Sequence, residues 1–184
     1  SWAIGLQISC TLAQSGKDVL LLDFSNFERH WPFSLRRHIL QFKLVTQYKI
    51  KVQRVRRRKV YKSNLLFSDY STVDELKRLK FQGFEIGHIV VASLYARFGS
   101  ASLELSQVEW QEVQDTVALV VDVLDSVLKL QVFKSSSLEE VIVFNGREPV
   151  EASCLLIAKM MNLQTRISER ASSSDKYCLY TQSP

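Results

Sequence analysis

The tripeptide Asn145-Gly146-Arg147 stands where an apolar, strand-like run, Val141–Phe144, changes into the helical pattern Glu148–Met161. Gly146 allows a tight turn or a close approach between the backbone and a ligand. The Asn145 amide can donate and accept hydrogen bonds with hydroxyls, and the Arg147 guanidinium can hold a carboxylate or a phosphate. Ligands of open parallel sheets bind beyond the carboxyl ends of the strands, so we expect a binding site at this turn.

A second polar pair, Glu169-Arg170, follows the predicted strand Thr165–Ser168. If this strand lies parallel and next to the previous one, both loops emerge at the same edge of the sheet. The edge then offers one amide, two guanidiniums and one carboxylate. The alternative is structural, because Asn-Gly turns are common for steric reasons alone. In that interpretation Arg147 and Glu169 form an ion pair that fastens the two loops.

Two further residues, His88 and Asp23, are candidates for a binding role. Gly87 precedes His88 and would let a ligand or another backbone segment come close, although a single histidine in an apolar run is more often a core or cap residue. Asp23 ends a strand where the acid of a Rossmann unit binds ribose, but no G-x-G-x-x-G precedes it, so a dinucleotide role is weakly supported. The three histidines lack metal-ligand spacing, and we predict neither a structural zinc nor a cofactor.

Short apolar strands alternate with amphipathic helices along the chain. The segment Trp2–Ser15 has a buried-helix pattern, Gly16 suits its end, and "KDVLLLDF" is a continuous apolar strand whose preceding strand we expect before Ser1. Gln107–Leu130 is the clearest helix, with valines at three- and four-residue steps and its acids expected largely on the surface. The pattern predicts an α/β, Rossmann-like domain over residues 1–184, with a mainly parallel sheet and helices on both faces.

Composition limits the class of protein. Apolar residues make up 46% of the 184 residues, which is enough for a globular core. The cysteines Cys10, Cys154 and Cys178 are odd in number and widely spaced, so we expect reduced thiols in a cytoplasmic compartment. No uncharged apolar run approaches the roughly 20 residues of a membrane span, so we expect a soluble or peripheral protein.

Charge is distributed unevenly. Residues 29–68 contain 12 Lys or Arg and no acid, whereas residues 98–128 contain six acids and no base. The densest basic segment, residues 49–62, has eight bases and is expected to form a strand or hairpin arm. Three interpretations remain open: a solvated face or a partner for the acidic helix, an anionic membrane surface, and, less favoured, nucleic acid.

The ordered motifs also resemble a known family. The segment from Val141 to Tyr180, with Phe144-Asn145-Gly146-Arg147, a helix, Glu169-Arg170 and an aromatic strand, is similar to the N-terminal domain of bacterial GT-B-like glycosyltransferases of capsule and lipopolysaccharide synthesis. "WAIGLQISCTLAQSGKDVLLLDFS" and "FEIGHIVVASLYAR" resemble earlier segments of such a domain. The sequence departs from the pattern at Ala171, where family members often carry glycine.

The resemblance implies an acceptor-side domain that works with a nucleotide sugar and a glycan acceptor. It implies a fragment, because a C-terminal nucleotide-sugar domain does not fit within 184 residues. Glu169 would be the base that activates an acceptor hydroxyl, and substrate would be bound by the remaining candidates, Asn145, Gly146, Arg147, Arg170 and His88. A location in the cytoplasm, peripheral at the inner membrane, fits this implication. The competing function is a non-catalytic, Rossmann-like module that binds an anionic membrane or nucleic acid.

Overall fold

A computed structural model describes residues 2–24, 27, 35–57, 70, 72–98, 110–134, 137–146, 148–170 and 177–182, with only the main chain at residues 2–4, 35–38, 40, 134, 170 and 177–182. The chain divides into two compact units, Ser1–Arg57 and Arg58–Pro184, and each is described by itself. The assignment of residues 1–184 to one domain that lacks a C-terminal partner stays a prediction.

The first unit contains a β-α-β arrangement. Its elements are α1 (Trp2–Gln14), β1 (Leu20–Asp23), α2 (Leu35–Gln47) and β2 (Lys51–Arg54). β1 and β2 are parallel, so the described partner of β1 lies downstream, within the basic segment. The buried core of this unit joins both helices to the sheet through Leu6, Cys10, Ile50, Ala13, Val19, Leu21, Leu44, Val45 and Tyr48.

The end of α1 follows the prediction closely. Gly16 has a φ of 83°, and the N–H of Lys17 donates to the carbonyl of Leu12 at 3.1 Å. This left-handed ending satisfies helix carbonyls that would otherwise lack a donor. The predicted helix Trp2–Ser15 and the strand that follows it are therefore confirmed.

The second unit begins with α3 (Val73–Lys77), a hairpin of β3 (Lys80–Phe81) and β4 (Phe84–Glu85), and α4 (Gly87–Phe98). Thr72 caps α3, since its hydroxyl accepts the N–H of Glu75 while the Glu75 carboxylate accepts the N–H of Thr72. This reciprocal pair satisfies two N–H groups at the start of the helix. The hairpin between α3 and α4 was not predicted from the sequence.

The second half of helix α5 (Trp110–Leu128) is buried on all sides and has no solvent-facing polar side. All residues from Val120 to Val127 are buried, because α5 packs against both α4 and α6 (Pro149–Met160). The expectation that its acids lie largely on the surface is wrong for Asp122 and Asp125, which are 2% and 4% exposed. Lys129 supplies the compensating charge for Asp125, with its Nζ 2.5 and 2.7 Å from the two carboxylate oxygens.

A three-stranded sheet completes the second unit, with the strand order β5 (Glu140–Phe144), β6 (Gln164–Arg170) and β7 (Tyr177–Gln182). A short 3-10 helix, Gln131–Lys134, precedes β5. β5 and β6 are parallel, and β6 and β7 are antiparallel. The helix α6 connects the parallel pair and packs on both of its strands as well as on α5.

The described elements therefore establish an α/β protein with two parallel strand pairs. They form separate small sheets of two or three strands rather than one continuous sheet, and β7 and the hairpin add antiparallel pairing. Within the described residues no helix is both long enough and apolar enough to cross a bilayer.

Two of the cysteines are free and buried, Cys10 and Cys154. Burial raises the pKa of the Cys10 thiol. Burial, with a smaller contribution from the charge of Glu151, raises the pKa of Cys154 to about 12. Both thiols are therefore protonated at neutral pH.

Candidate functional site

The turn after β5 has an unusual backbone conformation. Asn145 and Gly146 both have positive φ angles, 65° and 66°. The N–H of Gly146 donates to the carbonyl of Phe144 at 2.8 Å, and such an i→i+2 bond around a central residue with positive φ, here Asn145, is typical of the rare and strained γ-turn. The predicted tight turn between strand and helix is therefore present, and α6 begins three residues later, at Pro149.

Packing explains why residue 146 is glycine. A Cβ atom there would lie 3.0 Å from Cδ1 of Leu155 and 3.2 Å from Cδ1 of Ile167, at a φ that side chains rarely adopt. The atoms closest to Gly146 are thus side chains of α6 and β6. This close packing gives Gly146 a structural role, which is the alternative that the sequence left open. Asn145 is the polar residue of the described turn.

The main chain joins this turn to the end of β6. Phe144 is the register partner of Ser168, and the N–H of Asn145 donates to the Ser168 carbonyl at 2.9 Å. Glu169 is the next residue, still paired with β7, and it is half-buried. Since residues two apart in a strand share a face, Glu169 lies on the face of Ile167, where α6 packs. The carboxyl ends of two parallel strands therefore bring Asn145, Gly146 and Glu169 to one edge, as predicted.

Arg147 and Arg170 are the two arginines of the predicted site. Arg170 is the last residue of β6, and its main chain pairs with Tyr177. Arg147 lies outside the described residues, so both its binding role and its ion pair with Glu169 stay predictions.

A residue at the same edge was missed by sequence reasoning. Ser168 is fully buried, and its hydroxyl has no hydrogen-bond partner within the described part of the chain. A buried polar atom of this kind is rare in proteins. The available signal was a hydroxyl residue in the predicted strand, directly before the charged pair Glu169-Arg170.

The opposite face of the sheet carries an ion pair instead. Oε1 of Glu140 lies 2.6 Å from Nε of Arg166, although the two groups are not aligned as a hydrogen bond. The contact is therefore an ion pair: the charged groups are close together, but the N–H of Arg166 does not point at the carboxylate oxygen. It links β5 to β6 away from the turn.

His88 lies in α4 and not on the strands or the turn that form this edge. It is the second residue of α4 and is exposed, whereas the expectation for a lone histidine was a core or cap position. Gly87 allows another backbone to come close, because its position is crowded by the Leu76 and Lys77 carbonyls of α3. Nothing in the described residues links His88 to the turn by a hydrogen bond or an ion pair.

The basic segment and Asp23 meet in the first unit. Nε of Arg54 lies 3.9 Å from Oδ2 of Asp23, so strand β2 provides an ion-pair partner for the acid that ends β1. This pairing supports a structural role for Asp23. Lys49, Lys51 and Arg56 are exposed, and residues 58–62 of the segment lie outside the described part.

A scan against protein-family models and searches of curated proteins and of solved structures each found no match to the chain. Among the described residues no three His, Cys, Asp or Glu side chains cluster as metal ligands would. Function is therefore inferred from the residues and their geometry.

Proposed function

We propose that this chain is the acceptor-side, Rossmann-like part of a glycosyltransferase that moves a sugar from a nucleotide-sugar donor to a surface glycan. The observation that carries the proposal is the shared edge, where the main chain of Asn145 is hydrogen-bonded to Ser168 beside Glu169. A loop amide and a carboxylate at the carboxyl ends of two parallel strands are placed where α/β proteins bind ligands. The resemblance of the sequence to capsule and lipopolysaccharide transferases agrees with this placement.

In the proposed reaction Glu169 accepts the proton of an acceptor hydroxyl. The hydroxyl oxygen attacks the anomeric carbon of the donor, and the bond from that carbon to the nucleotide diphosphate breaks. Asn145 holds neighbouring hydroxyls through its amide, and Arg147 and Arg170 hold anionic groups. A donor domain joined to this chain would supply the rest of the nucleotide-sugar site, and the protein would work on the cytoplasmic side of the membrane.

The direct test is Glu169→Gln in the polypeptide at its natural length. The substitution keeps the shape of the side chain but removes the proton acceptor, and the loss of general-base help lowers rates by about 100- to 10,000-fold. Turnover and melting temperature are measured on the same sample, with labelled nucleotide sugars and extracted surface glycan. Glu139→Gln is the matched control, because Glu139 is exposed and immediately precedes the opposite end of β5.

Two results contradict the catalytic role. Near-normal transfer by Glu169→Gln would remove it, because a carboxylate that only forms an ion pair contributes about 0–1 kcal/mol to stability and little to turnover. A collapse of the melting temperature would assign Glu169 to structure instead.

The competing function, a non-catalytic module, is favoured by the exposed bases of the first unit, Lys49, Lys51 and Arg56. It predicts binding to anionic surfaces without any sugar transfer. A polypeptide of natural length that transfers no sugar from any donor tested, yet binds vesicles or nucleic acid at low salt, would support this alternative.

A further inference from the structure

The helix α2 exposes apolar side chains that its core contacts do not explain. Phe42 is 72% exposed and Ile39 is 50% exposed, and they lie three residues apart on one face. Leu44 and Val45 pack against the core of the first unit, and Leu44 lies on the side of the helix opposite Ile39 and Phe42. The helix is therefore apolar on a side that faces away from its own core.

Exposed bases accompany these side chains. Lys43 lies on the same face of α2, next to Phe42, and is exposed. Lys49, Lys51 and Arg56 are exposed shortly after the helix, and residues 29–57 contain nine bases and no acid. Val52 of β2, directly after Lys51 in the chain, is a further apolar side chain that is 41% exposed. The described part of the first unit therefore exposes both large apolar groups and several basic side chains.

We propose that this α2 surface docks on an anionic lipid bilayer, with Ile39 and Phe42 entering the interface and the bases contacting headgroup phosphates. An interfacial helix needs apolar side chains on one face and Lys or Arg beside them, and this is the combination that the described part of α2 presents. Nucleic acid would satisfy the bases but would leave aliphatic Ile39 and Val52 exposed. The proposal does not depend on sugar transfer, and it adds apolar insertion to the electrostatic binding considered from the basic segment alone.

Two contributions act together on this surface. A few apolar side chains give weak partitioning, and each base near an anionic surface strengthens it. Binding should therefore require anionic lipid and should weaken as salt rises, since the attraction falls off within the Debye length. It should also require Phe42, which distinguishes insertion from adsorption by charge alone.

The test is sedimentation of the 184-residue chain with vesicles of phosphatidylcholine, with and without phosphatidylglycerol, at low and moderate salt. We expect binding only with phosphatidylglycerol, and we expect Phe42→Ser to weaken it by about tenfold or more, as burial of a phenylalanine implies. Phe98→Ser is the matched control, because Phe98 is also partly exposed, at 41%, and lies in the other unit. Ile39→Ser provides a second variant, and circular dichroism checks that each variant is folded.

A Phe42→Trp variant reports insertion directly. We expect brominated acyl chains to quench the tryptophan fluorescence of this variant more than that of the parent. Equal binding by the parent, Phe42→Ser and Ile39→Ser would overturn the proposal, as would an absence of binding to phosphatidylglycerol vesicles at low salt. Binding to single-stranded RNA that depends on Phe42 and is not competed by the vesicles would assign the surface to nucleic acid instead. If Glu169→Gln leaves sugar transfer intact, the transferase proposal fails while this one stands.

Discussion

Replacing Gly87 with alanine should be among the most damaging single changes in the second unit. Gly87 begins α4 where the chain passes directly over the end of α3. A Cβ atom at this position would lie 2.2 Å from the Leu76 carbonyl oxygen and 2.3 Å from that of Lys77. Carbon and oxygen normally meet at about 3.3–3.6 Å, so the backbone of one helix must move by more than an ångström. No side-chain rotation can relieve this contact, because all three of the nearest atoms belong to the main chain.

The magnitude follows from what that movement breaks. Overpacking costs about 1–3 kcal/mol. The N–H groups of Ile86 and Gly87 both donate to the Leu79 carbonyl at 3.0 Å, and their loss adds about 0.5–1.5 kcal/mol each. The expected decrease in the free energy of unfolding is therefore about 2–6 kcal/mol, compared with the total of about 5–15 kcal/mol that is usual for a protein.

Guanidinium denaturation, followed by circular dichroism, measures this change. Gly83→Ala is the control. Gly83 has a φ of 85° but no atom within 4 Å of an added Cβ, so alanine there costs only the strain of a left-handed backbone conformation, about 1–2 kcal/mol. If Gly87→Ala costs no more than Gly83→Ala, the close packing of α3 against α4 is not as described and the reasoning fails.

Two other features can be tested in the same protein. Thr72→Ala should lower the free energy of unfolding by about 1 kcal/mol, because it removes the reciprocal cap of α3; Thr72→Ser should retain most of the stability, and equal loss in both variants would contradict the assignment to the hydroxyl. Cys154, whose pKa is raised to about 12 by burial, should resist iodoacetamide at pH 8 in the native protein and react once guanidinium unfolds it; mass spectrometry identifies the labelled residue, and rapid native labelling of Cys154 would show that the thiol is accessible.

Local signals in the sequence were sufficient for most elements. The valine spacing of α5, the glycine that ends α1 and the threonine that caps α3 act within one or two turns, so each can be predicted without knowledge of the neighbours. The turn at Gly146 was also predictable, since an apolar strand run and a helical pattern meet there. These predictions required no knowledge of tertiary contacts.

The features that the sequence did not predict depend on contacts between residues that are distant in the chain. Asp122 and Asp125 are buried because α5 is enclosed by α4 and α6, and no local pattern reports that enclosure. The hairpin β3–β4 has two residues in each strand, too few for an alternating pattern to appear. The basic segment was expected to contain a strand, but no local pattern shows that this strand, β2, pairs with β1.

The same distinction separates the two functional proposals. At the carboxyl edge, the sequence placed Asn145 and Glu169 near each other from an assumed parallel pairing, and the register of β5 with β6 supports that proximity. The surface of α2 could not be found in this way, since a phenylalanine and an isoleucine in a helix are expected to be buried, and only the exposure of Phe42 and Ile39 identifies them as a surface feature. Glu169 and Phe42 belong to different units and enter the two proposals separately, so we expect Glu169→Gln to lower sugar transfer without loss of vesicle binding, and Phe42→Ser to lower vesicle binding.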